Sequence, residues 1–152
     1  MPMNTCQNSR YRSHKIMLSH VMVGSNDLAQ AREFYDPLLG CIGLYRHDDD
    51  DSDHQWLCYA APQEKILFLV CSPFDQNAAA PGNGTMVAFK AHSHEIVDQF
   101  YAIGMDLGAT DEGAPALRSQ YHDYFYGAYL RDPDGNKLCC VCHAISEREN
   151  TR

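Results

Sequence analysis

Apolar and polar positions along this chain follow first a period of two, then a period of three to four, and the sequence of periods is run through twice. Ile16 to Val23 is an extended apolar run that reads as a buried strand. Ser25-Asn26-Asp27 follows, with side-chain oxygens suited to a helix N-cap. Leu28, Ala31, Tyr35 and Leu38, joined by Phe34 and Leu39, then recur at three and four residues, so they share one helical face, and Gly40 ends the helix. Three strands are expected next, at Cys41 to Arg46, Gln55 to Ala60 and Lys65 to Cys71. An acidic loop and Ala61-Pro62-Gln63-Glu64 separate them.

The pattern returns 66 residues later: His20-Val21-Met22-Val23 falls on Met86-Val87-Ala88-Phe89, and Phe34-Tyr35 falls on Phe100-Tyr101. Thr85 to Lys90 reads as a strand and Ser93 as a cap, after which Ile96, Phe100, Ile103 and Leu107 trace a helical stripe closed by Gly108. Beyond a stretch interrupted by Gly and Pro, Asp123 to Arg131 and Lys137 to His143 read as strands. Asp132-Pro133-Asp134-Gly135 suits a type I turn between them. The middle strand of this second unit has the faintest pattern. The expectation is an α+β fold of two paired βαβββ modules, with curled mixed sheets around a central cleft. Module 1 covers about 15–71 and module 2 about 85–143, joined by a Pro- and Gly-rich linker at 72–84. Residues 1–14 read as a flexible extension, 15–145 as one domain and 146–152 as a tail. Where two such units meet a pocket is expected, and the mismatched pair His20/Met86 draws attention to it.

Composition narrows the partners. The chain has 152 residues, 45% of them hydrophobic, enough for one sizeable core. Its net charge of −8 argues against a nucleic-acid or anionic-membrane partner, since such binding needs clustered Lys and Arg. No apolar run reaches the ~18 to 20 residues of a membrane span, and Met1 to Lys15 lacks the apolar centre of a signal peptide. A cytoplasmic location is expected. The seven cysteines, 6, 41, 58, 71, 139, 140 and 142, are odd in number and mostly sit in apolar runs, as reduced thiols packed like small hydrophobes would.

Three segments together give the chain a family likeness. They are Leu18-Ser19-His20-Val21 with Ser25-Asn26-Asp27-Leu28, the helix end Phe34-Tyr35-Asp36-Pro37-Leu38-Leu39-Gly40, and Arg131-Asp132-Pro133-Asp134-Gly135-Asn136-Lys137. Over residues 16 to 143 the sequence resembles the vicinal oxygen chelate superfamily of glyoxalase I, bleomycin-resistance proteins and extradiol dioxygenases. The resemblance implies paired βαβββ modules whose concave faces enclose a metal and a small organic ligand. Relatives of this size often form dimers, and exposed sheet edges supply a motive, so a homodimer is expected.

In metal-dependent relatives the ligands lie on the first and last strands of each module. Here those positions are His20, Leu67, Met86 and Cys139, with Leu67 placed by aligning Lys65-Ile66-Leu67 on Lys137-Leu138-Cys139. Leu has no donor atom, and imidazole, thioether and thiol make no usual site for a hard divalent ion. No cofactor is therefore expected; were a divalent metal bound, His20 and Cys139 would be its ligands. Without a metal, Leu67, Met86 and Cys139 are expected to line the substrate pocket, with packing the plainer role for Met86 and Cys139, and His20 is either a satisfied structural histidine or a polar group facing the pocket.

Arg118 to Tyr126 brings together four aromatic residues and a His, and Tyr121, His122 and Tyr124 are the candidates here for lining a ligand pocket. An aromatic edge or subunit contact is the plainer reading of the same residues. Arg131 suits a surface ion pair better than a substrate carboxylate. The acidic run Asp48 to His54 lacks the alternation and central Gly of an EF-hand loop and reads as a solvated connection. Cys139 and His143 should face away from Cys140 and Cys142, because a strand alternates its side chains. Two functions stay open. One is a glyoxalase-like enzyme with lyase, isomerase or dioxygenase-type chemistry, in which His20 moves a proton and Tyr121 or His122 polarises an oxygen. The other is a non-catalytic protein that sequesters a small molecule, as in antibiotic resistance.

Overall fold

The computed structural model describes residues 18–47, 55–62 and 68–144. In the first unit β1 (Val21–Gly24) leads into α1 (Leu28–Gly40), followed by β2 (Tyr45–Arg46), β3 (Trp56–Ala60) and β4 (Phe68–Cys71). The second unit consists of β5 (Val87–Lys90), α2 (His94–Asp106), β6 (Thr110–Leu117), β7 (Tyr126–Arg131) and β8 (Lys137–Cys142). Strands β1 and β5, like helices α1 and α2, are 66 residues apart at both ends. The two sheets share one topology, β1-β4-β3-β2 and β5-β8-β7-β6. The first pair in each is parallel and the others antiparallel, giving two mixed four-stranded sheets in an α+β fold.

Local chemistry starts each helix where the sequence places it. Asp27 caps α1 by accepting from the Gln30 N–H at 3.0 Å, and Ser93 caps α2 by accepting from the Ile96 N–H at 3.3 Å. Helix α1 buries Ala31, Phe34, Tyr35, Leu38 and Leu39, the expected stripe. Helix α2 buries Val97, Phe100 and Gly104 instead of the line through Ile103 and Leu107. The reason is close approach: a Cβ on Gly104 would lie 2.5 Å from Leu130 Cδ2, so the helix meets its sheet at the glycine.

Both helices pack against each other and against the sheets, and the units share a single core. Phe68 of β4 meets Phe89 of β5 edge-on at 5.2 Å, Tyr35 stands 5.3 Å from Phe68, and Phe100 stands 6.1 Å from Phe89. Where the units meet within the chain, aromatic side chains therefore fill the space. The helix-facing sides of both sheets join this core, and their opposite sides turn away from it.

The Asp132-Pro133-Asp134-Gly135 hairpin ties the second unit to the first. Asp132, 3% exposed, accepts from the Tyr35 hydroxyl of α1 at 2.6 Å, from Asn136 Nδ2 at 2.8 Å and from the backbone N–H groups of Asn136 and Asp134. Asn136 donates through the same Nδ2 to the Gly24 carbonyl at 2.9 Å, and the Asn26 N–H donates to Asp134 at 2.9 Å. Gly135 sits at φ +88°, which an L side chain rarely adopts.

Several boundaries differ from expectation. Strand β1 starts at Val21, with residues 18–20 outside any strand and residues 16 and 17 outside the described ones. Residues 41–43 form a turn and Leu44 lies outside any strand, which reduces β2 to Tyr45–Arg46. The faint middle strand of the second unit is the full-length β6, whose register shifts around Gly113 and before Ala116. At a sheet edge Pro115 and Gly113 are tolerated, because the outer backbone groups need no ladder partner. Residues 118–125 turn back on themselves instead of extending β7, with the Arg118 N–H donating to the Phe125 carbonyl at 2.7 Å.

Burial, outweighing the donors around it, pushes the Asp132 carboxyl above its ordinary 3.8. The folded state then holds this proton to higher pH than the unfolded chain does, so the residue's contribution to stability falls as pH rises through that window. In denaturant melts, the stability advantage of wild type over Asp132→Asn should shrink as pH is raised from about 4. A constant difference would contradict this.

Candidate functional site

Hairpin register assembles a group of side chains on the outward side of the second sheet. Tyr129 on β7 pairs with Cys139 on β8, and Arg131 pairs with Lys137, so all four share a face opposite the buried Leu130 and Leu138. The guanidinium carbon of Arg118 stands 5.5 Å from the Tyr129 ring centre, and Lys137 Nζ stands 5.7 Å from it. Tyr121 folds in from the 118–125 turn and comes within hydrogen-bonding reach of Tyr129. Arg118, Tyr121, Tyr129 and Lys137, with Glu112 and Gln120, line a cavity of about 240 Å³.

Charges around it are unequally paired. Glu112 accepts from Arg131 Nε at 2.7 Å and lies 3.3 Å from Lys137 Nζ. Those hydrogen bonds, Arg131's first, hold the Glu112 carboxyl below its ordinary range. Arg131 thus makes the surface ion pair read from its place beside the hairpin. Arg118 donates through Nη2 to the Ala114 carbonyl at 2.7 Å, its Nε is buried without a hydrogen-bond partner, and no carboxylate among the described residues pairs with it. An unmade buried hydrogen bond costs about 1 to 3 kcal/mol.

Cys139 is fully buried beside Tyr129, its cross-strand partner. Burial pushes its thiol up to about 11, against the pull of the Tyr129 hydroxyl, Arg118 and Lys137, and Tyr129 itself is pushed up to about 12, again chiefly by burial. Near neutral pH both keep their protons, so Cys139 is a packed thiol and not a nucleophile. Met86 lies beside the same sheet, two residues before Ala88, which pairs with Cys139. It is exposed there.

The other candidates lie elsewhere. His122 Nε2 and His143 Nδ1 are 2.9 Å apart just beyond β8, and the Tyr124 N–H donates to His122 Nδ1 at 3.2 Å, which orients that ring. The Tyr124 side chain is exposed. His20 is exposed and hydrogen-bonded to Ser19 Oγ at 3.0 Å. It lies one residue before β1, where Val21 packs on the core and Met22 is exposed. Leu67 lies outside the described residues, as does the acidic run at 48–54. The structure therefore sets Tyr121 and Cys139 each against Tyr129, puts Met86 beside the same sheet, and leaves His20 beside the other.

Strand register also corrects one alignment. Val21 pairs with Phe68 and Val87 with Leu138, so Met22 and Ala88 are equivalent, and their partners Leu69 and Cys139 are the matched pair. The counterpart of Cys139 is Leu69, not Leu67. Either leucine leaves that slot without a donor. Among the described residues no three His, Cys, Asp or Glu side chains gather at one point. A protonated buried thiol, a thioether, a leucine and one exposed imidazole do not fit the hard divalent ion expected of metal-dependent relatives. A second cleft, of about 350 Å³, is lined by neutral groups of Ser25, Asn26, Gln55, Ser72, Gln76 and Asn77, at the end of β1 beside the 72–84 segment.

The model of the Glyoxalase/Bleomycin resistance protein/Dioxygenase superfamily matches residues 17–140. The chain belongs to that superfamily. A glyoxalase/bleomycin resistance protein from Albidiferax ferrireducens T118 is 38% identical over 85% of this chain and 100% of its own, with a TM-score of 0.72. Similarity in fold extends to a glyoxalase/bleomycin resistance protein/dioxygenase family enzyme from Burkholderia phytofirmans PsJN, at 19% identity over 83% and 98% of the two chains and TM-score 0.64. It extends also to a lactoylglutathione lyase from Agrobacterium tumefaciens, at 18% identity over 82% and 92% and TM-score 0.57. No curated protein matches. Among the described residues no helix is long and apolar enough to cross a membrane.

Cys139 should resist iodoacetamide at pH 8 in the native protein and react once the chain is unfolded, as peptide mass spectrometry would show. Rapid native alkylation would contradict the buried, protonated thiol.

Proposed function

We propose that this superfamily member binds a small, oxygen-bearing organic molecule on the outward sheet faces, without a resident metal, and that binding does not require chemistry. The observation that carries the reading is the cavity lined by Tyr121, Tyr129, Arg118 and Lys137. Aromatic rings give such a ligand contact area, and phenol and guanidinium groups give it direction. At about 240 Å³ the cavity falls below the range of drug-sized sites, so the ligand is small. Sequestration of the antibiotic-resistance kind needs nothing more than this.

Enzymatic lyase or isomerase chemistry is the second reading, favoured by the exposed His20 imidazole beside the first sheet. A positioned imidazole that transfers a proton contributes about 10² to 10⁴-fold. Among the described residues His20 is hydrogen-bonded to Ser19 Oγ and joins no group of metal-ligating side chains, so this reading ranks second. Once a substrate is found, His20→Ala should leave binding unchanged; lost turnover with retained binding would restore the enzyme reading to first place.

The active form we propose is a homodimer. β1 and β5 are edge strands, and the first sheet's outward side exposes Met22 and Trp56 beside the more buried Leu69, Cys58 and Cys71. A second copy would cover that face and deepen the open cavities. Light scattering should give twice the chain mass; the mass of a single chain would rule the pairing out. For the ligand, a ligand-observed NMR screen of small carbonyl and carboxyl compounds should give hits that Tyr121→Ala weakens about tenfold, a loss of roughly 1.4 kcal/mol. Hits indifferent to Tyr121→Ala would contradict the site.

A further inference from the structure

We propose that the cavity on the second sheet is selective for a planar organic monocarboxylate, with Arg118 as the residue that takes the carboxylate and the Tyr129 and Tyr121 rings taking the flat remainder; this rests on the ligand-binding reading above. The charge count around the cavity sets the selectivity. Lys137 and Arg131 both face Glu112, at 3.3 Å and 2.7 Å, so their charges are already opposed. Arg118 faces the same cavity with no carboxylate partner among the described residues and with Nε lacking any hydrogen bond. Arg118 is the cation left without a carboxylate, and the charged groups that line the cavity, Arg118, Lys137 and Glu112, leave one positive charge, which a single negative charge on the ligand matches.

A dianion fits less well. Glu112 lines the cavity too and already pairs with Lys137 and Arg131, so a second negative charge on the ligand would find no unpaired cation at that end. A planar carboxylate offers the guanidinium two oxygens in the geometry of its donor fork, which a neutral amide cannot reproduce because one of its two polar groups is itself a donor. Nη2 is held by the Ala114 carbonyl at 2.7 Å, which anchors the guanidinium beside the cavity, and Nε keeps an unused donor. The rings explain the flat remainder: Tyr129 already carries two cations near its face, and Tyr121 and Tyr129 together line the cavity with aromatic surface.

The test uses the full chain and three probes, benzoate, benzamide and inorganic phosphate, with affinities from calorimetry or ligand-observed NMR. Benzoate should bind at least tenfold more tightly than benzamide and than phosphate. Arg118→Gln should remove most of that preference, with the fold checked by its thermal melt. Should the variant fail to fold, the benzoate-to-benzamide ratio on wild type still decides. Equal binding of benzoate and benzamide overturns the carboxylate assignment and leaves the ligand-binding reading standing. Tighter binding of phosphate overturns the monoanion argument. No binding by benzoate or benzamide overturns both the assignment and the reading it rests on.

Discussion

The buried carboxylate of Asp132 organises this molecule. It lies in the hairpin of the second unit, yet one of its four donors is the Tyr35 hydroxyl on the first unit's helix, and its neighbour Asn136 reaches the Gly24 carbonyl at the end of β1. A buried polar group is tolerated only when its hydrogen bonds are made, so this cluster forms completely or not at all. Hydrophobic contact between Phe68 and Phe89 holds the two sheets together without fixing their alignment. Directional bonds at Asp132 and Asn136 do that, and both sheets are thereby held with their helix-facing sides on one core.

That arrangement decides where ligands can bind. Because aromatic side chains occupy the seam between units, usable surface is on the outward sides, and these differ in chemistry. The first sheet presents Met22, Trp56 and Cys58. The second presents Tyr129, Lys137, Arg131 and the inward-folded Tyr121 and Arg118 around a cavity. Duplication has supplied two equivalent surfaces, and side-chain replacement has made one apolar and the other cationic and aromatic. His20 and Met86, equivalent by repeat, lie beside these two different sheets.

Much of the fold was legible from periodicity. The 66-residue repeat predicts the order of the elements, because β1 and β5 are short apolar runs and α1 and α2 are patterned helices capped by the equivalent residues Asp27 and Ser93. Strand β6 was faint because an edge strand with Gly113 and Pro115 needs neither alternation nor a complete ladder. The α2 stripe was misplaced because a glycine, which counts as neutral in a hydrophobic pattern, is the point of closest packing. The Asp132-Pro133-Asp134-Gly135-Asn136 segment was read for its turn, and its long-range role could not be seen, since nothing local says that a turn carboxylate is accepting from a tyrosine 97 residues away. As for the site, its aromatic neighbours mark Tyr121 in the sequence, whereas no local pattern marks Tyr129 and Lys137, although the hairpin register pairs them directly with Cys139 and Arg131. Arg118 lacks any sequence signal for being unpaired, because pairing is a property of three-dimensional charge.

The central claim, that a directional bond from Tyr35 to Asp132 aligns the two units, is tested most directly by a double-mutant cycle. Unfolding free energies would be measured for wild type, Tyr35→Phe, Asp132→Ala and the double variant. The account predicts a coupling energy of about 1.5 to 3 kcal/mol between the two sites, as expected for a buried hydrogen bond to a charged group. Additive losses, with coupling within about 0.5 kcal/mol of zero, would contradict it.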